Sequence, residues 1–169
     1  NGWATNKAHK INRKVILPIN GFYSYSSWRH NELDTYHIYT TLGDIEKVLD
    51  YLDQGATTEY SLRAALKLAE GSGKTKNIQC KYFSVTFYKK GTCHIVFHEQ
   101  RIVDILNIYG ARSRNWLPPD YGKRRYEDMS PDAQAVIDEF QGKAAYDEVM
   151  NQPGVYLPNL TTPLLAAAT

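Results

Sequence analysis

The residues best equipped for recognition chemistry are Arg112, Arg114, Trp116, Tyr121, Lys123, Arg124, Arg125 and Tyr126. Between Gly110 and Tyr126 the chain carries five positive charges and one negative, with consecutive prolines at 118 and 119. Guanidinium and ammonium groups neutralise phosphates, and indole or phenol rings stack on exposed bases, so this mixture suits a nucleic acid. Prolines interrupt regular structure, so the segment after Gly110 reads as a surface loop that is neither helix nor strand. Binding residues concentrate on such loops when a rigid scaffold holds them. A plainer assignment competes: Trp116 and the prolines anchor a long loop, and its charges are solvated.

Other motifs promise less. Gly71-Ser72-Gly73-Lys74-Thr75 imitates the end of a phosphate-binding loop. Leu68 stands where the motif needs glycine, and the expected order is helix before and strand after, the reverse of what such a loop requires. It reads as a flexible connector. Leu117-Pro118-Pro119-Asp120-Tyr121 is a scrambled version of the Asp/Asn-Pro-Pro-Tyr motif of amino-methyltransferases. Its acid follows the prolines, and Leu117 cannot accept a hydrogen bond from a target amino group. His94 and His98 could share one face of a hairpin with Cys80, but the paired spacing of a zinc site is missing. Cys93 reads as a small core residue. No catalytic residue, metal site or cofactor is assigned, and enzymatic activity stays open.

The elements that must position the cluster follow from periodicity. Cys80–Tyr88 and Thr92–His98 read as a hairpin. A three-residue turn Lys89-Lys90-Gly91, with Gly91 left-handed, pairs Tyr88 with Thr92. Phe87 then faces Cys93, Val85 faces Ile95 and Phe83 faces Phe97, one wholly apolar face; the two-residue alternative mixes the faces. The other face carries Tyr82, Ser84, Thr86, Tyr88, Thr92, His94 and His98. A short helix follows over Gln100–Tyr109. Lys14–Ile19, closed by Pro18 and Gly21, reads as an edge strand or strand end. Phe22–Tyr39 is loop with room for one strand. Leu42, Ile45, Val48, Leu49 and Leu52 recur at helical spacing, with Gly55 at a left-handed terminus. A second helix over Tyr60–Glu70 ends at Gly71. Ser130-Pro131 caps a third through Ala133, Val136, Ile137 and Phe140. Gly142 interrupts it, and Lys143–Asn151 resumes. The class is α+β, a small antiparallel sheet with helices on its apolar face.

Hydrophobic content of 43% and charged content of 22% in 169 residues place the chain among ordinary globular domains. Residues 1–157 read as a single domain and 158–169 as a tail. Charge alternates along the chain. Residues 1–31 hold five Lys or Arg and no acid, Glu32–Glu70 holds eight acids against three bases, and Glu127–Thr169 holds seven acids and one Lys. The basic start (Lys7, His9, Lys10, Arg13, Lys14) invites a polyanion, though charge runs are usually solvated faces. Two cysteines placed on opposite faces of the hairpin read as reduced, which points to the cytoplasm. No run is long enough to span a membrane. The opening Asn1-Gly-Trp has no initiating Met and no leader pattern, as in a piece of a longer polypeptide or a chain whose start is not observed.

Lys81-Tyr-Phe-Ser-Val-Thr-Phe-Tyr-Lys-Lys-Gly-Thr-Cys-His-Ile and Asn107-Ile-Tyr-Gly-Ala-Arg-Ser-Arg-Asn-Trp-Leu-Pro-Pro-Asp-Tyr-Gly resemble an uncharacterised domain family of phages and mobile elements. The opening Asn1–Asn12, Asp44–Leu52, Asp128-Met-Ser and Ala135–Asp138 resemble it too, so the similarity spans nearly all the chain except the last dozen residues. Members often lie C-terminal to an S-adenosylmethionine-dependent DNA methyltransferase module. The resemblance implies no catalytic residue. It implies an accessory role beside a methyltransferase; by the loop's own composition, Arg112, Arg114, Lys123, Arg124 and Arg125 would then contact DNA phosphates while Trp116 and Tyr121 pack or stack. The alternative is a module that blocks a host defence protein, with the Tyr-rich segment Phe22–Tyr39 supplying the aromatic anchors common at interfaces.

Overall fold

The structure is a computed structural model that describes residues 10–24, 28–55 and 60–158. Contacts divide these residues into two compact units, one over Ile11–Val103 and one comprising Lys10 with residues 104–158.

Alternation of apolar and polar side chains builds the sheet of the first unit. Strands β3 (Phe83–Tyr88) and β4 (Thr92–Phe97) pair antiparallel in the expected register, Tyr88 opposite Thr92, Phe87 opposite Cys93, Val85 opposite Ile95 and Phe83 opposite Phe97. Gly91 turns the chain at φ +84°, and its N–H donates to the Tyr88 carbonyl at 3.0 Å. β1 (Lys14–Leu17) is the edge strand beside β4, and β2 (Ile78–Gln79) lies beside β3 at the other edge, giving the order β1-β4-β3-β2. All six inward residues of β3 and β4 are buried, and Phe83 meets Phe97 edge to face at 6.1 Å. The fold is α+β.

The strand expected from Cys80 begins only at Phe83. The Cys80 N–H donates to the Phe83 carbonyl at 2.8 Å, closing a tight turn at Lys81-Tyr82 that folds β2 back as a separate strand. Tyr82 therefore escapes the alternation and turns inward, where its hydroxyl donates to Asp50 Oδ1 at 2.7 Å. Cys80 is buried with it, so the two free thiols do not fall on opposite faces as a continuous strand would place them.

Helix α1 (Thr35–Leu52) starts well before Leu42, in a stretch of Thr, Tyr and His with poor helix propensity. Two contributions offset that weakness. Asp34 caps the helix by accepting from the His37 N–H at 3.0 Å, and Ile38 extends the buried stripe through Leu42, Leu49 and Leu52. The left-handed closing residue is Gln54 (φ +53°), with the N–H of Gly55 reaching the Asp50 carbonyl at 2.9 Å. Helix α2 (Leu62–Ser72) is capped by Ser61 and runs through Gly71 to close on Gly73 at φ +68°. The Gly-Ser-Gly-Lys-Thr segment is thus a helix terminus leading to a strand.

One face of α1 carries Glu46, Asp50 and Asp53 at helical spacing. Glu46 accepts from the Leu62 N–H at 2.7 Å, Asp50 pairs with Lys81 at 3.4 Å, and Asp53 pairs with Arg101 at 3.1 Å. These carboxylates hold the start of α2, the β2–β3 turn and the start of α3 (Gln100–Ser113), whose later turns belong to the second unit. Burial pushes the Glu46 carboxyl above its ordinary range, against the pull of the Leu62 N–H.

The second unit continues with α4 (Pro131–Phe140), α5 (Lys143–Asn151) and the single turn α6 (Pro153–Tyr156). Ser130 caps α4 by accepting from the Ala133 N–H at 3.3 Å, with Pro131 in the first turn, and Gly142 breaks the chain at φ +85° as expected. Its core gathers Ile108, Ala111, Leu117, Tyr121, Met129, Ile137, Phe140, Tyr146 and Val149.

Three expected outcomes follow. A Cβ on Gly21 would fall well inside van der Waals contact of the buried Phe87 ring. Gly21→Ala should therefore lower stability by about 1–3 kcal/mol in a urea titration. Burial lifts the Cys93 thiol to about 11, and burial with the nearby Glu46 charge lifts Cys80 to about 12. Both thiols should resist iodoacetamide in the folded chain and react once urea unfolds it. A raised folded-state value stabilises fully below the ordinary thiol value of 9.0 and is lost as pH climbs toward 11 and 12, so the urea midpoint should decline across that window.

Candidate nucleic-acid interface

Helix α3 does not stop at Tyr109. It passes through Gly110 to Ser113, because Ile108 and Ala111 are both buried in the core of the second unit and their burial outweighs the roughly 1 kcal/mol cost of one glycine. Asn115 then closes it in the left-handed conformation (φ +56°). Its N–H donates to the Arg112 carbonyl at 3.0 Å, and that of Trp116 to the Ala111 carbonyl at 2.9 Å. Arg112 is consequently a half-buried residue of the last helical turn, where a cation suits the helix dipole, and not a loop residue. The loop proper begins at Arg114.

From there the chain is pinned from beneath. Leu117 and Tyr121 enter the core, and the Tyr121 N–H donates to the Pro118 carbonyl at 2.9 Å. The Tyr121 hydroxyl donates to Gln141 Oε1 at 3.0 Å, and its ring meets Tyr146 edge to face at 5.1 Å. Tyr146 in turn accepts from the Gly122 N–H at 3.0 Å and donates to the Arg124 carbonyl at 2.6 Å. Gly122 sits at φ +77°, and a Cβ there would lie 2.5 Å from Leu157 Cδ1. At 2% exposure Tyr121 is an anchor of the loop and has no ring face to offer a base, so of the two roles its sequence position suggests, packing or stacking, it takes the first. Burial pushes its hydroxyl well above the ordinary phenol range.

The cations ride on that anchor. Trp116 is 44% exposed, with the Arg114 guanidinium 5.9 Å from its ring centroid. Lys123, Arg124 and Arg125 are exposed, and Lys123 Nζ donates to the Pro119 carbonyl at 3.2 Å, which leaves its charge uncancelled. Arg124 lies 3.7 Å from Asp120. Among the described residues, Arg112, Arg114, Lys123 and Arg125 have no ion pair. The arrangement can bind a polyanion with an unpaired or flipped base on the indole; among the described residues no group of three or more His, Cys, Asp or Glu could hold a metal.

Other sequence candidates are dispersed or engaged. The His98 Nε2 lies 2.9 Å from the Cys80 carbonyl and so carries the proton, whereas His94 packs at a 45° tilt against Tyr88 at 4.4 Å. With Cys80 buried, the three do not converge. Arg13 donates to the carbonyls of Phe97 and His98 at 2.8 and 2.7 Å. Lys10 lies over the Phe140 ring at 5.1 Å and donates to the Phe140 carbonyl, in a cleft of about 190 Å³ that Asp104, Asn107, Gln141 and Glu148 also line. Lys7 and His9 lie outside the described residues. Sequence inspection missed the role of Tyr146, whose hydroxyl fixes the basic turn; an aromatic on the buried stripe of a helix carries no mark of what its tip will touch.

A family model described as domain of unknown function (DUF4942) matches residues 1–116, and the chain belongs to that family. The match ends at Trp116, so Arg112, Arg114 and Trp116 lie within it and Tyr121 and Lys123–Arg125 beyond it, a shorter span than the resemblance suggested. No curated protein and no solved structure matches the chain. Among the described residues no helix is long and apolar enough to cross a membrane.

Tyr146→Phe should cost about 1–3 kcal/mol of stability, because it strands the Gly122 N–H and the Arg124 carbonyl. Faster hydrogen exchange at Gly122, with α5 protected as before, would mark the loss as local.

Proposed function

We propose that this chain is a non-catalytic accessory domain that contacts nucleic acid, serving a DNA methyltransferase of a phage or mobile element. The observation that carries the proposal is that Arg114, Trp116, Lys123, Arg124 and Arg125 are all exposed, after a half-buried Arg112, on a loop held to the core by Tyr121 and Tyr146. Phosphate contacts supply affinity without reading sequence, and an indole that stacks without regard to base identity fits an accessory role.

A second reading has one observation of its own. Trp28 is 93% exposed on the loop closed by the Phe22–Leu33 bridge. Its neighbour Arg29 stacks on Tyr23 at 4.2 Å and pairs with Glu32 at 2.6 Å and Glu70 at 3.4 Å. An indole held out on a braced loop suits a protein partner, such as a host defence factor. A nuclease-resistant pull-down that Trp28→Ala abolishes would favour it.

For the leading proposal, affinity for DNA should drop steeply with salt. Arg124→Ser and Arg125→Ser should each flatten the logarithmic salt slope by about 0.9 on duplex. Trp116→Ala should weaken single-strand binding by about 1–3 kcal/mol. Binding that ignores salt, or no binding to either form, rules the proposal out.

A further inference from the structure

The first unit presents a second surface suited to a polyanion, and it owes nothing to the loop. The register across the sheet places two rows on the solvent side, Lys14–Val96–Ser84–Gln79 and Ile16–His94–Thr86, with Tyr88 and Thr92 beyond them. Ile16 is 49% and Val96 37% exposed, so the face is open to solvent at its centre as well as its rim.

Among the described residues, the strands of this face carry charge of one sign. No Asp or Glu occurs before Glu32 or between Gly71 and His98, so every strand and both connectors within the sheet's second half are free of acid. Against that stand exposed cations: Lys14 on β1, Lys90 at the hairpin tip, and Lys74 and Lys76 in the connector before β2. The connector runs alongside β3, since the Phe87 N–H donates to the Thr75 carbonyl and the Asn77 N–H to Thr86 Oγ1, both at 2.9 Å. The proton affinity of His94 reports this field: burial lowers it first, and Lys14 and Lys90 lower it further. The imidazole packs at a tilt against the Tyr88 ring at 4.4 Å, with Lys90 5.8 Å from that ring's centroid.

We infer that the outer face of the four-stranded sheet, from Lys14 and Ile16 across His94 and Tyr88 to Gln79, binds unpaired nucleotides of a single-stranded nucleic acid. A duplex is the wrong shape for it. The major groove admits a helix or a two-stranded ribbon, whereas a broader sheet meets splayed bases. Tyr88 and His94 supply stacking faces, Ser84, Thr86 and Gln79 supply hydrogen-bonding groups for base edges, and the lysines at the rim meet phosphates. Four strands spaced by about 4.8 Å give room for roughly three nucleotides. The surface lies wholly within the matched family segment, unlike Lys123–Arg125.

The test is fluorescence anisotropy on the full chain, with labelled oligo(dT), oligo(U) and duplex DNA of about twenty nucleotides, longer than one such site requires. Both single strands should bind more tightly than the duplex. His94→Ala should weaken strand binding roughly tenfold through lost stacking. Ile16→Glu, on the edge strand at a position 49% exposed, should weaken it at least as much. Lys14→Ser with Lys90→Ser should flatten the strand's salt slope by about 0.7 for each lysine. Melting curves matching the parent chain establish that the variants fold. Serine at Lys123, Arg124 and Arg125 together should weaken strand and duplex binding alike, while His94→Ala added to that variant should still weaken strand binding roughly tenfold, which separates this surface from the loop. Equal or tighter binding to duplex, or unchanged strand affinity in both His94→Ala and Ile16→Glu, overturns the inference. If only the loop variant loses strand binding, the loop proposal stands and this one falls.

Discussion

The fold of the first unit depends on one pairing, the apolar face that β3 and β4 make together. Phe83, Val85, Phe87, Cys93, Ile95 and Phe97 all point inward and all are buried. Fully burying a Val, Ile or Phe side chain contributes about 1.5–3 kcal/mol each, so a slip of one residue, which would send Thr86 and His94 inward, is heavily disfavoured. The same alternation that fills the core decides the opposite face. Tyr88, His94, Thr86 and Ser84 face solvent because their neighbours do not. The edge strand β1 then inherits the register, placing Ile16 beside His94 and Lys14 beside Val96.

Carboxylates do the complementary work of holding the helices. The acids of α1 are drawn to specific partners: a helix N-terminus for Glu46, a tyrosine hydroxyl and a lysine for Asp50, and an arginine for Asp53. Their use on α1, and their absence from every strand, puts the acids on the helical layer and none on the four strands. Such segregation makes a small net charge compatible with a locally strong positive potential.

In the second unit the organising contact is the Tyr121–Tyr146 pair. Two phenol rings give the core its volume, while their hydroxyls reach Gln141, Gly122 and Arg124. A loop next to a core must find partners for its backbone groups, and here a helix side chain supplies them. The result is a turn whose top carries Lys123, Arg124 and Arg125 and whose base is fixed.

The alternating pattern of the hairpin, the glycine at its turn, the Ser130-Pro131 cap and the Gly142 break are local signals, and each was legible in the order of the residues because backbone sterics and side-chain period act over a few positions. So was the make-up of the basic cluster, five cations against one acid. The tertiary structure decided what depends on distant partners. The early start of α1 rests on burial of Ile38, the extension of α3 past Gly110 on burial of Ile108 and Ala111, and the turn at Lys81-Tyr82 on the hydroxyl contact with Asp50. Tyr121 and Trp116, five residues apart and alike in composition-based reasoning, part company for the same reason. One meets a core that can satisfy its hydroxyl, and the other, beside Arg114, stays substantially exposed.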